Sequence, residues 1–414
     1  MKRINVLLSA LLVMIVAALP TFAQNQKTKV TYMTWGSGVE AQQWEERLAR
    51  IEAANPDLEI EYLVVADRAE YSDRLLSMIA GGVPPDVFRI GLSEYRPFVR
   101  NGYVKDITHY VESDSLITAN LLPQEIERSM VDGRYYGLGD FWPYMMLFYN
   151  VDDLNSAGVA PPSVDATEAW TWDEFVDAAR RLKRSDGNQV TRWGFHAPFH
   201  WGFEFQSWLY TFGTELYDSV AGRFKIDSEP VISTVEALRA LMFEQQVAAR
   251  VDNNPDWHGL GNGTLSMYAG NMFWSFLLDD AGVSNYSIAS LPKGIGQDTA
   301  STLIWGDFFA MGEDIANPDA AWRLLKGLVA ETWQLNTGSP TYGFFRYEEG
   351  GKFRELIEKT VIPHGRNAVD PGAPDAWGHM GAALWDIMRG ESDVSRLEET
   401  NRLMNQALDA VLGR

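Results

Sequence analysis

The first ninety residues alternate between strand and helix patterns, and this alternation constrains the fold more than any other feature of the chain. Three short segments read as β-strands: residues 30–35 and 87–90 by their composition, and residues 58–64 by the alternation of apolar side chains at 58, 60, 62 and 64. Between the first two segments, apolar side chains recur at helical spacing. Parallel strands joined by right-handed crossover helices are the usual result of this order. The sequence therefore predicts an α/β fold.

Helix-start signals continue further along the chain. Thr171 and Glu174 have the spacing of a capping box, in which each side chain bonds the backbone of the other. Asn317 and Pro318 likewise place a capping residue before a proline at the first helical position. Both signals predict helices beginning at these points.

Length and composition limit the possible functions. A chain of 414 residues favours two domains, since a domain usually takes roughly 100–200 residues. The 56 acidic and 35 basic residues leave a net charge of −21, which argues against binding to nucleic acid or to an anionic membrane. The chain has no Cys, so disulfides, thiol catalysis and cysteine-ligated metals are excluded.

The N-terminal residues 1–23 have the pattern of a signal peptide. Lys2 and Arg3 precede an apolar run over residues 4–19, which is shorter than the roughly 20 residues of a membrane span. We expect cleavage after about Ala23 and export to the periplasm. No Cys follows this point, so we expect no lipid anchor.

Catalytic and metal-binding motifs are missing. The chain contains no GxxxxGK[ST] phosphate loop, no HExxH helix and no GxSxG elbow. His196 and His200 have the spacing of a metal-binding pair on a helix, but Pro198 between them argues against a regular helix there. We therefore predict no metal site, no cofactor and no catalytic residue. A glycosidase carboxylate pair stays open as an alternative, because such pairs come from distant positions.

Aromatic residues repeatedly stand beside polar ones at predicted loop positions. Flat rings cover the apolar C–H faces of a sugar, while carboxylates and amides bond its hydroxyls. A single Trp is more often a core residue, so the argument depends on several such pairs beyond strand ends, where open α/β sheets bind ligands. The pairs are Trp35 with Ser37 and Glu40, Trp142 with Tyr144, Asn271 with Trp274, and Trp305 with Asp307.

An ordered set of short motifs runs from about residue 30 to the C-terminus. The motifs are PDV at 85–87, GYV at 102–104, DGRYYGL at 132–138, FYN at 148–150, AG at 157–158, TWDEF at 171–175, GTLSM at 263–267 before Gly270, LPKG at 291–294 and NPDAAW at 317–322. Together they resemble family 1 extracellular solute-binding proteins, the group that includes maltose-binding protein.

The resemblance implies a two-lobed periplasmic-binding-protein fold of type II, in which each lobe is a sheet flanked by helices. The N-terminal lobe is expected at residues 24–140 and 302–340, and the C-terminal lobe at residues 141–301 and 341–414. It implies a substrate-binding component of an ABC importer, which captures a sugar, oligosaccharide or polyol and delivers it to the membrane permease. We expect a monomer that binds no nucleic acid.

The resemblance also implies which residues form the ligand cleft between the lobes. They are Trp35, Ser37, Glu40, Asp67, Trp142, Tyr144, Asn271, Trp274, Trp305, Gly306, Asp307 and Trp377. The chain departs from the family pattern at Met272, where an aromatic residue is common, so Phe273 or Trp274 must take that role. Asp307 stands where the family often has a small residue, which suggests a ligand-specific polar contact.

Two other functions stay open at this point. One is a secreted carbohydrate-active enzyme, which differs from a binding protein by turnover. The other is a binding protein for a different solute, such as a polyamine, an iron complex or an oligopeptide. A cationic solute would require several carboxylates in the cleft, and the many acidic residues could supply them.

Overall fold

The computed structural model of the chain describes residues 27–140, 143–200, 202–252, 257–332 and 352–414. The predicted signal peptide and Trp142 lie outside these residues. In chain order the strands are β1 (Thr28–Trp35), β2 (Leu58–Val65), β3 (Val87–Ile90), β4 (Met130–Val131), β5 (Arg134–Tyr135), β6 (Gly137–Gly139), β7 (Met145–Asn150), β8 (Arg184–Asp186), β9 (Gln189–Arg192), β10 (Tyr217–Asp218), β11 (Arg223–Phe224), β12 (Met267–Asn271), β13 (Tyr286–Ala289), β14 (Thr302–Ile304), β15 (Phe308–Met311) and β16 (Gly365–Asn367).

Helices occupy much of the rest of the chain. In chain order they are α1 (Gly38–Ala54), α2 (Arg68–Ala80), α3 (Leu92–Arg100), α4 (Thr108–Ser113), α5 (Ser115–Thr118), α6 (Pro123–Ser129), α7 (Val151–Ala157), α8 (Trp172–Leu182), α9 (Gly202–Thr211), α10 (Glu229–Phe243), α11 (Gly259–Asn262), α12 (Phe273–Asp280), α13 (Pro318–Thr332), α14 (Lys352–Leu356), α15 (Ile362–His364), α16 (Pro374–Arg389) and α17 (Arg396–Leu412). The capping box at Thr171 and Glu174 is present, so this predicted helix start is confirmed.

The first lobe contains a five-stranded sheet in the order β2-β1-β3-β15-β6. Strand β1 pairs in parallel with both β2 and β3, which confirms the predicted crossover arrangement. Strand β15 comes from much later in the chain and lies antiparallel to β3 and β6. Side chains alternate across this sheet: Tyr32 packs on one face with Trp44 of α1, and Met33 packs on the other with Tyr71 of α2.

The second lobe is built around β7, which pairs antiparallel with β12 on one side and β13 on the other. All six residues of β7 are buried, so both faces of the strand are covered. Leu147 points into a core shared with α8, α9 and α16, while Phe148 points into a second core with residues from α11 and α12. Alternation along one strand therefore divides the lobe into two packed layers.

The chain passes from the first lobe to the second between β6 and β7, and it returns between β14 and β15. Strand β14 pairs with β16, and Ile304 is buried in a core of the second lobe. Strand β14 therefore packs with the second lobe, and the lobe bound at residue 302 stays a prediction.

Among the described residues, no helix combines the length and the apolar character that a membrane span requires.

Candidate functional site

A cavity of about 840 Å³ lies between the two lobes, and we call it the interlobe cavity. Both lobes and both crossing segments contribute to its walls, which is the usual situation for a ligand site between domains. Its lining residues are Trp35, Glu40, Gln43, Trp44, Arg47, Arg89, Pro143, Phe273, Phe276, Asp280, Trp305, Gly306, Asp307 and Thr332.

Helix α1 forms one wall of the interlobe cavity. Glu40, Gln43, Trp44 and Arg47 lie three or four residues apart, so their side chains share one face of the helix. The guanidinium of Arg47 lies 4.6 Å from the centroid of the Trp44 ring. This wall therefore presents amide, cationic and aromatic groups side by side.

Arg89 of β3 is the centre of an ionic cluster at the cavity. Its Nη2 lies 2.7 Å from Oδ2 of the fully buried Asp140 and 3.0 Å from Oδ2 of Asp307. Its Nη1 lies 3.4 Å from Oε1 of Glu40. Burial lowers the pKa of Arg89, but the attraction of the three carboxylates outweighs burial and raises the pKa overall. Arg89 therefore stays charged and holds these side chains in place.

Trp35 lies at the end of β1 and is covered by cations. The guanidinium carbons of Arg68 and Arg89 lie 3.9 and 4.2 Å from its ring centroid, and Tyr71 contacts the ring edge-on at 5.0 Å. Such cation–π contacts contribute from about 0.5 to 2 kcal/mol, depending on burial. In this structure Trp35 orders the arginines of the site.

The segment at residues 305–307, through which the chain returns from the second lobe, is hydrogen-bonded to the first lobe. The backbone N–H of Asp140 donates to the carbonyl of Asp307 at 2.9 Å, and the N–H of Asp307 donates to Oδ1 of Asp140 at 3.0 Å. Arg128 donates to the carbonyls of Trp305 and Asp307 at 2.9 and 3.3 Å. Gly306 between them has φ of +142°, a conformation that favours glycine. This glycine therefore lies where the second crossing segment meets the first lobe.

Trp305 connects the interlobe cavity to aromatic residues of the second lobe. Its ring stacks on Phe203 with centroids 6.0 Å apart and an interplanar angle of 13°. Phe203 in turn contacts Trp377 at 6.0 Å, and Nε1 of Trp377 donates to Asp370 at 3.0 Å. Trp377 does not line the interlobe cavity directly, but it lies one aromatic residue away from it.

Three of the predicted site residues, Tyr144, Asp67 and Ser37, have other roles in the structure and do not line the interlobe cavity. Tyr144 is fully buried in a core of the second lobe, because its position before β7 points it inward. Asp67 caps α2 by accepting the N–H of Glu70 at 2.8 Å, and Ser37 is an exposed residue at the start of α1. Trp142 lies outside the described residues.

The chain departs from the family pattern at Met272, in the segment that follows β12. Met272 is buried, Phe273 lines the interlobe cavity, and Trp274 lines a different cavity within the second lobe. Asn271 does not line the interlobe cavity; its side chain accepts the N–H of Phe273 at 3.0 Å and lies 3.5 Å from Glu204. Phe273 is therefore the residue of this segment that faces the space between the lobes.

Several lining residues were missed by the sequence reasoning. The helical spacing from Glu40 could have identified Gln43, Trp44 and Arg47, because they share its face of α1. No local pattern marks Arg89 or Asp280. Among the described residues, no group of three His, Asp or Glu side chains is arranged to hold a metal ion.

Glu204 of α9 is a buried carboxyl group close to Asn271. Burial raises the pKa of Glu204 above its ordinary 4.5, although hydrogen bonds from its own backbone N–H and from Asn271 oppose the shift. The pKa of Glu204 is therefore higher in the folded protein than in the unfolded chain. The stability that this difference contributes is fully present below the unfolded pKa, and it is lost as the pH rises through the folded pKa. We therefore expect Glu204→Gln to raise the melting temperature at pH 7. The gain should vanish at pH 4, and an equal gain at both values would contradict this account.

Comparison with known proteins places the chain among binding proteins. The sequence profile of the bacterial extracellular solute-binding protein family matches residues 35–335. The arabinooligosaccharide-binding protein of Bacillus subtilis is 25% identical over 200 residues, which are 46% of this chain and 44% of that protein. The chain therefore matches less than half the length of this relative.

Two solved structures share the fold over nearly the whole chain. The sugar-binding protein MalE from Xanthomonas citri has a TM-score of 0.77 at 17% identity, with 92% of this chain and 98% of that chain covered. The ABC substrate-binding protein Lmo0181 from Listeria monocytogenes, in complex with cycloalternan, has a TM-score of 0.71 at 19% identity, with 94% and 99% covered. The fold is thus the two-lobed binding-protein fold, and the chain belongs to the family of bacterial extracellular solute-binding proteins.

Proposed function

We propose that this protein captures a sugar or oligosaccharide in the interlobe cavity and delivers it to the membrane permease of an ABC importer. The observation that carries the proposal is the composition of the cavity: Trp305 and Phe273 offer aromatic surface beside the hydrogen-bonding side chains of Gln43 and Glu40. Aromatic faces with a few polar groups suit a neutral polyhydroxylated ligand. Relatives described as binding arabinooligosaccharide and cycloalternan support the same class.

The charges of the cavity favour a neutral solute over a polyamine. Three carboxylates line it, those of Glu40, Asp280 and Asp307, but Arg47 and Arg89 line it as well. Glu40 and Asp307 both contact Arg89, so their charge is already partly compensated. A polycation would have to compete with these arginines for the carboxylates.

Ligand capture is proposed to close the two lobes around the cavity, the mode of periplasmic binding proteins. Trp305 is hydrogen-bonded to the first lobe, whereas the neighbouring Ile304 packs in the second lobe. Rotation of one lobe relative to the other would therefore concentrate at the junction of residues 304–306. We also propose export to the periplasm, cleavage after about Ala23 and a monomeric protein without a lipid anchor.

The test is a thermal-shift screen of the purified protein against arabinose, arabinooligosaccharides, maltose, maltodextrins, mannotriose, putrescine and spermidine. A ligand at 100 times its dissociation constant should stabilise the native state by about 2.7 kcal/mol. We expect at least one carbohydrate to raise the melting temperature, and the bound carbohydrate to be recovered uncleaved after prolonged incubation. Stabilisation by the polyamines alone, or steady release of cleavage products, would contradict the proposal.

A further inference from the structure

A second cavity, of about 630 Å³, lies within the second lobe, and we call it the second-lobe cavity. It falls in the size range of about 300–1,000 Å³ typical of small-molecule sites. Its lining residues are His196, Pro198, His200, Val251, Asp252, Trp257, Tyr268, Trp274, Trp385 and Arg389. The sequence analysis considered three of these for other roles: His196 and His200 as a metal-binding pair, which it rejected, and Trp274 as part of the interlobe cleft.

Aromatic rings from four segments form its walls. Trp274 contacts Trp257 with centroids 5.8 Å apart and Tyr268 with centroids 6.0 Å apart at 88°. Trp385 contacts His200 at 4.5 Å. Gly270 makes this arrangement possible, because a Cβ there would lie 2.5 Å from Cδ1 of Trp274 and 2.5 Å from Cε1 of Tyr268.

Among the described residues that line the second-lobe cavity, the one acidic and the one basic side chain, Asp252 and Arg389, balance in charge. Asp252 and Arg389 have opposite signs, and they form ion pairs with Arg250 at 3.4 Å and Glu391 at 2.8 Å. Burial lowers the pKa of His200 to about 4, so its imidazole is neutral at physiological pH. A charged ligand would therefore find no excess of opposite charge here.

The second-lobe cavity shares its walls with the interlobe site. Consecutive residues of α12 separate the two, since Phe273 lines the interlobe cavity and Trp274 the second-lobe cavity. Three residues after His200, Phe203 stacks on Trp305 of the interlobe cavity. Helix α16 likewise supplies Trp385 to the second-lobe cavity. Adjacent residues of α12 therefore face different cavities.

We propose that the second-lobe cavity binds a neutral carbohydrate unit, stacked on Trp274 and Trp385. The proposal rests on the proposed function of the interlobe cavity and extends it. Large aromatic faces together with neutral and charge-balanced polar groups suit a sugar ring better than an ion or a purely apolar molecule. The unit is a sugar molecule separate from the one in the interlobe cavity, because residues of α12 stand between the two cavities.

The test is calorimetric titration of the wild type and of Trp274→Ala and Trp385→Ala with arabinose and arabinooligosaccharides of two to five units, and with glucose and the corresponding maltodextrins. Each variant should reduce the number of sugar molecules bound per protein from two to one.

The matched control is Trp193→Ala, which removes an indole of the same lobe that lines neither cavity among the described residues. Melting temperatures without sugar identify variants that fail to fold, and Trp385, which is half-buried on α16, provides the second variant if Trp274→Ala does not fold. If sugars bind and both folded variants match the wild type throughout the series, this inference is wrong while the proposed function stands. If no sugar binds the wild type, both are wrong.

Discussion

Replacing Trp305 with alanine is expected to weaken carbohydrate binding by at least about 25-fold. Trp305 lines the interlobe cavity and stacks on Phe203, so its ring is held in one orientation before any ligand arrives. Loss of a large aromatic anchor from a binding site costs about 2–4 kcal/mol, and each 1.4 kcal/mol corresponds to a tenfold change in affinity. The measurement is calorimetric titration with the carbohydrate that gives the largest thermal shift.

The control for this prediction is again Trp193→Ala, which should bind like the wild type. Raising the salt concentration should change the affinity of the wild type little, because a neutral ligand offers no charge to screen. A Trp305→Ala protein that keeps its affinity, together with wild-type binding that collapses in salt, would indicate a charged ligand. Trp35 differs from Trp305, because the guanidinium groups of Arg68 and Arg89 cover its ring. We therefore expect Trp35→Ala to affect binding by displacing these two arginines.

Replacing Arg89 with methionine is expected to destabilise the native protein by about 3–5 kcal/mol, the usual cost of removing one partner of a buried ion pair. Asp140 is fully buried, and Arg89 bonds it through Nε at 2.8 Å and Nη2 at 2.7 Å. Without the guanidinium, the Asp140 carboxylate has lost its cation in a site that water does not reach. Urea unfolding at neutral pH measures the change.

A matched surface substitution gives the comparison. Arg134 pairs with Asp106, but the Arg134 side chain is 64% exposed, so Arg134→Met should destabilise the protein far less than Arg89→Met. Replacing Arg89 and Asp140 together, by Met and Leu, should cost less than the Arg89 change alone, because no buried charge is left uncompensated. Equal effects of Arg89→Met and Arg134→Met would show that the cluster does not stabilise the fold.

Local patterns were sufficient to predict the first three strands and the first helix of the first lobe. Strands β1, β2 and β3 and helix α1 follow from spacing within a dozen residues, and their parallel pairing follows from the crossover rule. The antiparallel addition of β15 does not follow from any local pattern, because its partners β3 and β6 lie about 170–220 residues earlier in the chain. The direction of this strand is decided by the return of the chain from the second lobe.

The interlobe cavity likewise has features that were predicted from the sequence and features that only the tertiary structure shows. The family resemblance of the sequence predicted that Trp35, Glu40, Trp305, Gly306 and Asp307 belong to the ligand cleft, and all five line the interlobe cavity. The tertiary structure decided what each side chain contacts there: Arg89 covers Trp35 and binds Asp307. It also placed Tyr144 in the core and directed Phe273 and Trp274 to different cavities. The physical reason is that periodicity specifies which face of an element is apolar, whereas the partner that each side chain meets depends on packing between elements distant in the sequence.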